Sequence, residues 1–129
     1  MTSIIAAAPQ FLVEKLDESL AFYEKRLGFA CDFVYEGFYA SVSRDRAVIH
    51  LKCAPKLDAE RAHRRSQEHL DAFLAVSGVE ELHAELEGRG AHITRALEQT
   101  PWGTRDFYVE DPDGHILCFS ELAGASANT

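Results

Sequence analysis

Short apolar runs and helical patterns follow one another along this chain in an order that occurs twice. "FLVEKLDESL" at 11–20 is echoed by "FLAVSGVEEL" at 73–82, an offset of 62 or 63 residues. In both places a short apolar strand leads into an amphipathic helix that runs to a glycine, and three further strands follow. These strands end in "AVIHLKC" in the first half and in "HILCFSE" in the second. The repeat predicts two similar βαβββ modules.

Each predicted helix has an apolar stripe and a glycine stop. The first helix ends at Gly28 and carries apolar residues at helical spacing, namely Leu16, Leu20, Tyr23 and Leu27. The second helix ends at "GRG", residues 88–90, and its stripe consists of Val79, Leu82 and Leu86. One face of each helix is therefore expected to pack on the sheet of its own module.

The spacing of these elements predicts an α+β protein with a single domain. We place module one at 1–54, a polar linker at 55–68, module two at 69–122 and a disordered tail at 123–129. A short sheet cannot cover its own exposed face, so the modules must pack edge to edge or exchange strands with a second chain. We expect a curved mixed sheet with a cleft on its concave side.

The charge of the chain is uneven. The net charge is -8, and residues 65–129 carry four Lys or Arg against twelve Asp or Glu. An acidic surface repels nucleic acid and anionic membranes and attracts cationic small molecules, although it also serves solubility alone. No apolar run is long enough for a membrane span, and no basic region precedes the first apolar stretch, so we expect a cytoplasmic protein without a signal peptide.

Trp102 is the single tryptophan of the 129 residues, and it stands in a Pro-Gly turn, "PWG", before a strand. A large aromatic residue in a turn has little core to fill. Two interpretations start about even: the indole covers a neighbouring element, or it stacks on a flat ligand.

The motifs "SLAFYEKRLGF" and "PWGTRDFYVEDPDG", together with the paired βαβββ layout, resemble the vicinal oxygen chelate superfamily over roughly residues 4–122. That superfamily includes glyoxalase I, extradiol dioxygenases, fosfomycin-resistance transferases and the bleomycin resistance proteins. The motif "DPDG" before an apolar strand is common to all of them, so it indicates the fold and not the function.

The enzymes of this superfamily hold a divalent metal with His and Glu side chains from four strand positions. The resemblance places these positions at Ala8, His50, Asp71 and Cys118. Only His50 is a usual ligand there, and an alanine cannot bind a metal, so we expect neither a metal nor another cofactor. The alternative is a metal-dependent lyase, transferase or dioxygenase in which His50, Asp71 and Cys118 form a non-standard ligand set.

The resemblance is strongest to the bleomycin resistance proteins, in "LGFACDFVYEGFYASVSRD" at 27–45 and in "PWGTRDF". Those proteins bind their drug as dimers with two crevices and stack its flat bithiazole rings between aromatic side chains, without metal catalysis. Their contact positions correspond here to Asp32, Phe33, Phe38 and Trp102. To the expected ligand-binding set we add His50, Phe107 and Cys118.

The resemblance thus implies a non-enzymatic, metal-independent protein that sequesters a bleomycin-type or similar flat cationic antibiotic. For Phe33 and Phe38, ordinary core packing is the alternative. Pro9 corresponds to a proline that redirects the N-terminal strand of the resistance proteins onto a partner subunit, which implies a strand-exchanged homodimer.

Overall fold

Each half of the chain forms the predicted βαβββ unit in the computed structural model, which describes residues 1–54 and 70–122. Module one consists of β1 (Gln10–Val13), α1 (Leu16–Ala21) with a π-helical continuation (Phe22–Arg26), β2 (Ala30–Tyr35), β3 (Tyr39–Arg44) and β4 (Ala47–Cys53). Module two consists of β5 (Leu70–Ala75), α2 (Val79–Gly88), β6 (His92–Gln99), β7 (Thr104–Glu110) and β8 (Ile116–Leu122). The predicted linker and tail lie outside the described residues.

The strands form two mixed sheets of the same topology. Sheet A has the order β1-β4-β3-β2, and sheet B has the order β5-β8-β7-β6. In each sheet the first strand of the module runs parallel to the last, and the remaining neighbours are antiparallel. The α+β fold with paired modules is confirmed. Within the described ranges, however, the strands pair only inside sheet A or inside sheet B, where we expected one curved sheet.

The first helix buries the predicted stripe and ends where the sequence indicates. Leu16, Tyr23 and Leu27 are buried against sheet A. Gly28 follows with a φ of 74°, which a side chain disfavours. A Cβ there would also lie 2.9 Å from the Arg44 guanidinium, so glycine suits this position on two counts.

The core lies between the helix-bearing faces of the two sheets. Apolar residues from both modules form one cluster, among them Phe11, Val13, Ile49 and Leu51 from sheet A and Phe107, Val109, Leu117 and Phe119 from sheet B. Because side chains alternate along a strand, the residues between these point to the opposite face of each sheet. We call these opposite surfaces the open faces of sheets A and B.

A buried carboxylate joins the two modules. Asp111, the first residue of "DPDG", accepts hydrogen bonds from the Tyr23 hydroxyl (2.8 Å), the His115 ring nitrogen Nδ1 (2.8 Å), the His115 amide (2.8 Å) and the Asp113 amide (3.0 Å). Burial, reinforced by this carboxylate, holds the pKa of Tyr23 well above its ordinary value, so the phenol remains a donor. Phe11 of module one stacks on the His115 ring with centroids 4.3 Å apart.

Removing this carboxylate should therefore unlink the modules. Asp111→Ala leaves four buried donors without their acceptor, and we expect it to lower the free energy of unfolding by more than about 3 kcal/mol. Tyr23→Phe removes one of the four bonds and should cost about 1.5–3 kcal/mol. Urea denaturation measures both. The exposed Glu24→Ala is the control and should stay within about 0.5 kcal/mol of the wild type, whereas an equal loss in Asp111→Ala and Glu24→Ala would contradict the assignment.

Candidate functional site

An aromatic group lies on the open face of sheet A. His50 of β4 pairs in register with Gln10 of β1 and Ser41 of β3, which places these side chains in one row across the sheet. The Phe33 ring lies parallel to the Tyr39 ring, with centroids 6.5 Å apart, and edge-on to the His50 ring at 6.3 Å. Phe33 is 48% exposed, so a flat molecule has access to the free side of its ring.

Asp32 stands beside this aromatic group at an irregularity of strand pairing between Cys31 and Phe33. Its two carboxylate oxygens accept hydrogen bonds from the Ser41 hydroxyl at 2.9 Å and the Ser43 hydroxyl at 2.7 Å. Both oxygens therefore already have a protein donor. Asp32 contributes a fixed negative charge to the open face and holds the neighbouring Phe33 in place.

Phe38 lies at the tip of the β2–β3 hairpin. Glu36 and Gly37 both have positive φ angles, 53° and 72°, and the turn closes with a hydrogen bond from the Phe38 amide to the Tyr35 carbonyl. The Phe38 ring meets the Tyr35 ring edge-on at 5.8 Å and is 43% exposed. Phe33 and Phe38 thus belong to two neighbouring aromatic pairs, and neither has the burial of an ordinary core residue.

Trp102 belongs to the turn between β6 and β7 of sheet B. Thr100 closes this turn, because its hydroxyl accepts from the Thr104 amide at 3.0 Å and its carbonyl accepts from the Gly103 amide at 3.3 Å. The indole is 72% exposed and so covers little of its own chain. This exposure disfavours the interpretation in which the indole covers a neighbouring element.

Cys118 lies on the open face of sheet B, in register between Phe73 and Tyr108. Its side chain is buried. Burial, followed by the charge of the hydrogen-bonded Asp106 carboxylate, raises the pKa of the Cys118 thiol to about 12. The sulfur is therefore a protonated donor to Asp106, whereas a metal ligand must be a thiolate.

Phe107 does not lie where we expected it. It was placed in the ligand-binding set, but its ring is fully buried in the shared core and stacks on Phe119 with centroids 5.1 Å apart. Strand alternation explains the error, since Phe107 follows Asp106 on β7 and so points to the opposite face. Phe107 is a core residue.

The four positions that correspond to metal ligands do not fit a metal ion. Ala8 precedes β1 and has no donor atom, and one Asp71 oxygen accepts from the Ile116 amide at 2.9 Å. His50 and Cys118 belong to different sheets. In residues 1–54 and 70–122, no three His, Cys, Asp or Glu side chains converge closely enough to hold an ion. The alternative set of His50, Asp71 and Cys118 is thus not assembled in this chain.

The expected ligand residues form two separate groups. Asp32, Phe33, Phe38 and His50 belong to sheet A, whereas Trp102 and Cys118 belong to sheet B. A cavity of about 550 Å³ lies between the modules, but its lining includes none of these six residues. A second cavity, of about 290 Å³, is bordered by Pro9 and by β4 and β5, and it too contains none of them.

Three further residues of the open faces escaped the sequence prediction. The Tyr39 hydroxyl is hydrogen-bonded to both His50 and Gln10. Phe73 is 63% exposed beside Cys118. Strand alternation predicts the position of Tyr39. Ser41 pairs in register with His50, and Tyr39 lies two residues before Ser41 on the same face of β3. Gln10 becomes visible only through the parallel pairing of β1 with β4.

The sequence model of the Glyoxalase/Bleomycin resistance protein/Dioxygenase superfamily matches residues 6–119. The chain therefore belongs to this superfamily. Within the described residues, no helix is long and apolar enough to cross a membrane.

The chain is similar to several individual proteins named for bleomycin. A bleomycin resistance protein from Geobacillus stearothermophilus is 28% identical over 130 residues, covering 90% of this chain and 96% of its own. The crystal structure of a bleomycin resistance determinant encoded on the transposon Tn5 has a TM-score of 0.76 at 23% identity, covering 92% and 98%. The bleomycin-binding protein of Streptomyces verticillus, solved with copper(II)-bleomycin, has a TM-score of 0.70 at 22% identity, covering 96% and 99%.

The state of Cys118 can be tested by alkylation. The pKa values of the Cys31 and Cys118 thiols are both raised, but Cys31 is exposed and Cys118 is buried, so iodoacetamide at pH 8.5 should label Cys31 in the folded protein and Cys118 only after unfolding. Peptide mass mapping over a time course measures both rates. Cys31→Ser should abolish the fastest phase and leave the slower labelling of the half-buried Cys53. Rapid labelling of Cys118 in the folded protein would contradict a buried protonated thiol.

Proposed function

We propose that this protein sequesters a flat, cationic, aromatic antibiotic of the bleomycin type and confers resistance by stoichiometric capture. The observation that carries the proposal is the exposure of Phe33 on the open face of sheet A and of Phe38 and Trp102 in the β2–β3 and β6–β7 turns, since none of these three rings lies in the core. Relatives named bleomycin resistance protein and a neighbour solved with copper(II)-bleomycin support it.

The aromatic contacts suit a planar heterocycle. An aromatic pair contributes about 0.5–1.5 kcal/mol beyond the burial of area. Three such pairs, with the apolar surface that a bound drug covers, can supply the roughly 8 kcal/mol of micromolar binding. A ligand ring stacked on Phe33 would extend the parallel pair that Phe33 forms with Tyr39.

The charges of the open faces suit a cation. The Asp32 carboxyl group accepts hydrogen bonds from two serine hydroxyls beside Phe33. On the open face of sheet B, Asp106 is buried and pairs in register with the exposed Glu98. The exposed carboxyl group of Asp32 favours a cationic ligand over an anionic one.

The state of Cys118 supports capture without chemistry, because its thiol is buried and protonated, whereas a metal ligand must be a thiolate. The exposed aromatic rings and the exposed Asp32 can bind and orient a ligand, and they need no metal to do so.

A homodimer would bring the two groups of ligand residues together. Within one chain, Phe33 lies on sheet A and Trp102 in a turn of sheet B, and the linings of the two cavities described above include neither residue. Two copies related by a twofold axis can set the open face of sheet A in one copy against that of sheet B in the other, which forms two equal crevices. We propose that each crevice binds one drug molecule.

The N-terminal arm, residues 1–9, is proposed to hold this dimer together. Ile4 and Ile5 are 93% and 94% exposed, and the Pro9 carbonyl accepts from the His50 amide at 2.9 Å where the arm meets the body. An apolar segment of this kind is costly to leave in water. The edge strands β1 and β5 offer unpaired backbone groups to an arm from a partner.

Ligand binding can be tested by thermal shift with two sets of probes. Metal-free bleomycin and phleomycin should raise the melting temperature in a concentration-dependent way, because a ligand of the folded state stabilises it. Trp102→Ala should lose most of this shift with little change in the melting temperature of the free protein. Phe107→Ala is the contrasting control, since it should lower the stability of the free protein by about 3–5 kcal/mol.

The same assay includes Zn²⁺, Ni²⁺, Fe²⁺ and Mn²⁺ in place of the drugs. Stabilisation by a metal, lost in His50→Ala, with no response to either drug would overturn the proposal in favour of a metal-dependent enzyme. Loss of stability in free Trp102→Ala as large as in Phe107→Ala would show that the indole is structural.

The dimer can be tested by light scattering. We expect twice the chain mass for the wild type, and a shift to the monomer for the double variant Ile4→Asp/Ile5→Asp. Burying two isoleucines stabilises by at least about 3 kcal/mol per arm, which corresponds to more than about 100-fold in the dissociation constant. Thr2→Asp/Ser3→Asp adds the same charges to the arm and should remain dimeric. A wild-type protein of single-chain mass at high concentration would reject the exchanged dimer.

A further inference from the structure

A short chain of hydrogen bonds crosses the open face of sheet A and ends at His50. The Gln10 side-chain nitrogen Nε2 lies 3.0 Å from the Tyr39 hydroxyl, and this hydroxyl lies 2.8 Å from His50 Nδ1. The three residues come from β1, β3 and β4, the three neighbouring strands of sheet A. The order of these strands in sheet A therefore brings the three side chains together.

The direction of these hydrogen bonds follows from the number of protons available. An amide nitrogen can only donate, so the Tyr39 oxygen accepts from Gln10. Among the described residues, the other polar contact of this hydroxyl is His50 Nδ1, so its single proton has a protein acceptor only if Nδ1 presents a lone pair. The arrangement that leaves no donor unpaired therefore gives this proton to Nδ1. A neutral imidazole whose Nδ1 is an acceptor carries its proton on Nε2.

We infer that Gln10 and Tyr39 hold His50 in the Nε2–H tautomer, and that this N–H donates to an acceptor atom of the ligand stacked on Phe33. The inference rests on the proposed function for the location of the ligand. It specifies the ligand further: a ring nitrogen or a carbonyl oxygen at the edge of the flat ring system, within reach of His50. Gln10 and Tyr39 are positioning residues, and His50 sets specificity.

Two features of His50 support contact with a ligand. Its Nε2 makes no hydrogen bond to any residue in the described part of the chain, whereas Nδ1 is engaged. Its ring meets the half-exposed Phe33 ring edge-on at 6.3 Å. A heterocycle lying on Phe33 thus has an N–H donor at its edge. Aromatic stacking alone tolerates many ligands, while a directed donor discriminates among them.

The same arrangement disfavours a metal at His50. A metal ion needs a lone pair on the ligating nitrogen. The Nδ1 lone pair accepts from Tyr39, and Nε2 carries the proton, so neither nitrogen presents a free lone pair. Binding an ion through Nε2 would require the proton to move to Nδ1 and the Tyr39 hydroxyl to turn away.

A substitution at Gln10 should reverse the tautomer. In Gln10→Glu the amide donor becomes a carboxylate acceptor, to which the Tyr39 hydroxyl donates. The Tyr39 oxygen is then left to accept from His50 Nδ1–H, and Nε2 gains the lone pair. Tyr39→Phe removes the connection altogether and should leave both tautomers populated. Neither change alters Phe33 or Trp102.

Nitrogen-15 NMR of the histidine rings, at a pH where the imidazoles are neutral, measures the tautomer in the free protein. For wild-type His50 we expect a pyridine-type Nδ1 resonance and a pyrrole-type Nε2 resonance. The two assignments should exchange in Gln10→Glu and move toward each other in Tyr39→Phe. A pyrrole-type Nδ1 in the wild type would overturn the inference, whatever the protein binds.

Ligand titrations test the donor role. Tyr39→Phe should bind metal-free bleomycin and a neutral synthetic bithiazole carboxamide roughly 2- to 10-fold more weakly than the wild type, the size of one neutral hydrogen bond. Gln10→Glu should show the same loss with the neutral carboxamide, whose binding the added carboxylate does not favour. The wild-type His50 Nε2–H resonance should shift on binding. Unchanged affinity of Gln10→Glu for the neutral carboxamide with a reversed tautomer would reject the donor role. Failure of both probes to bind, with the expected tautomer, would overturn the proposed function and the donor role together while the tautomer assignment stands.

Discussion

The structure depends on the Asp111 carboxylate, which is buried where the two modules meet. It receives four hydrogen bonds, one of them from Tyr23 of module one. A buried carboxylate is stable only with such a set of donors, and each donor is equally costly to leave unpaired. The relative placement of the modules is therefore specified by one polar group as much as by the apolar cluster around it.

This placement determines which surfaces of the sheets lie outside the core. Because the helix-bearing faces of both sheets share one core, the open faces carry the exposed rings of Phe33 and Phe73, and Trp102 is exposed in the β6–β7 turn. The modules resemble each other in order and topology, yet their open faces differ in chemistry. Sheet A presents stacked rings and a histidine, and sheet B presents a tryptophan turn and acidic groups. A crevice made from one of each combines stacking with charge, which neither surface offers alone.

Two of the strand positions that correspond to metal ligands have hydrogen-bond partners on their own sheets. On sheet B the sulfur of Cys118 donates to Asp106 and stays protonated. On sheet A the Tyr39 hydroxyl occupies Nδ1 of His50. His50 Nδ1 and the Cys118 thiol thus each have a hydrogen-bond partner on their own sheet. Single residues at such strand positions can differ among proteins that share a fold.

Much of the fold followed from the sequence, because its signals are local. The helical stripe of Leu16, Tyr23 and Leu27 ending at Gly28, and the alternation around "AVIHLKC", depend on neighbouring residues and on the geometry of one helix or strand. The family membership came from the motifs around "PWG" and "DPDG". For Trp102 the sequence left two interpretations open, a ring that covers a neighbouring element or an exposed ring that stacks on a ligand. A turn motif predicts where the residue lies along the chain but not what packs beside its side chain.

Contacts between strands that are distant in sequence were decided by the tertiary structure alone. Phe107 was assigned to the wrong face of β7 because the sequence does not show on which side of this strand the core lies. The hydrogen-bond partner of Tyr23 is Asp111, which lies 88 residues further along the chain. The contact between Gln10 and Tyr39 spans 29 residues and exists only because β1 joins sheet A beside β4. The sequence by itself determined the elements, their order and the family. The pairing of the strands decided which side chains share a face, and hence which of them can meet a ligand.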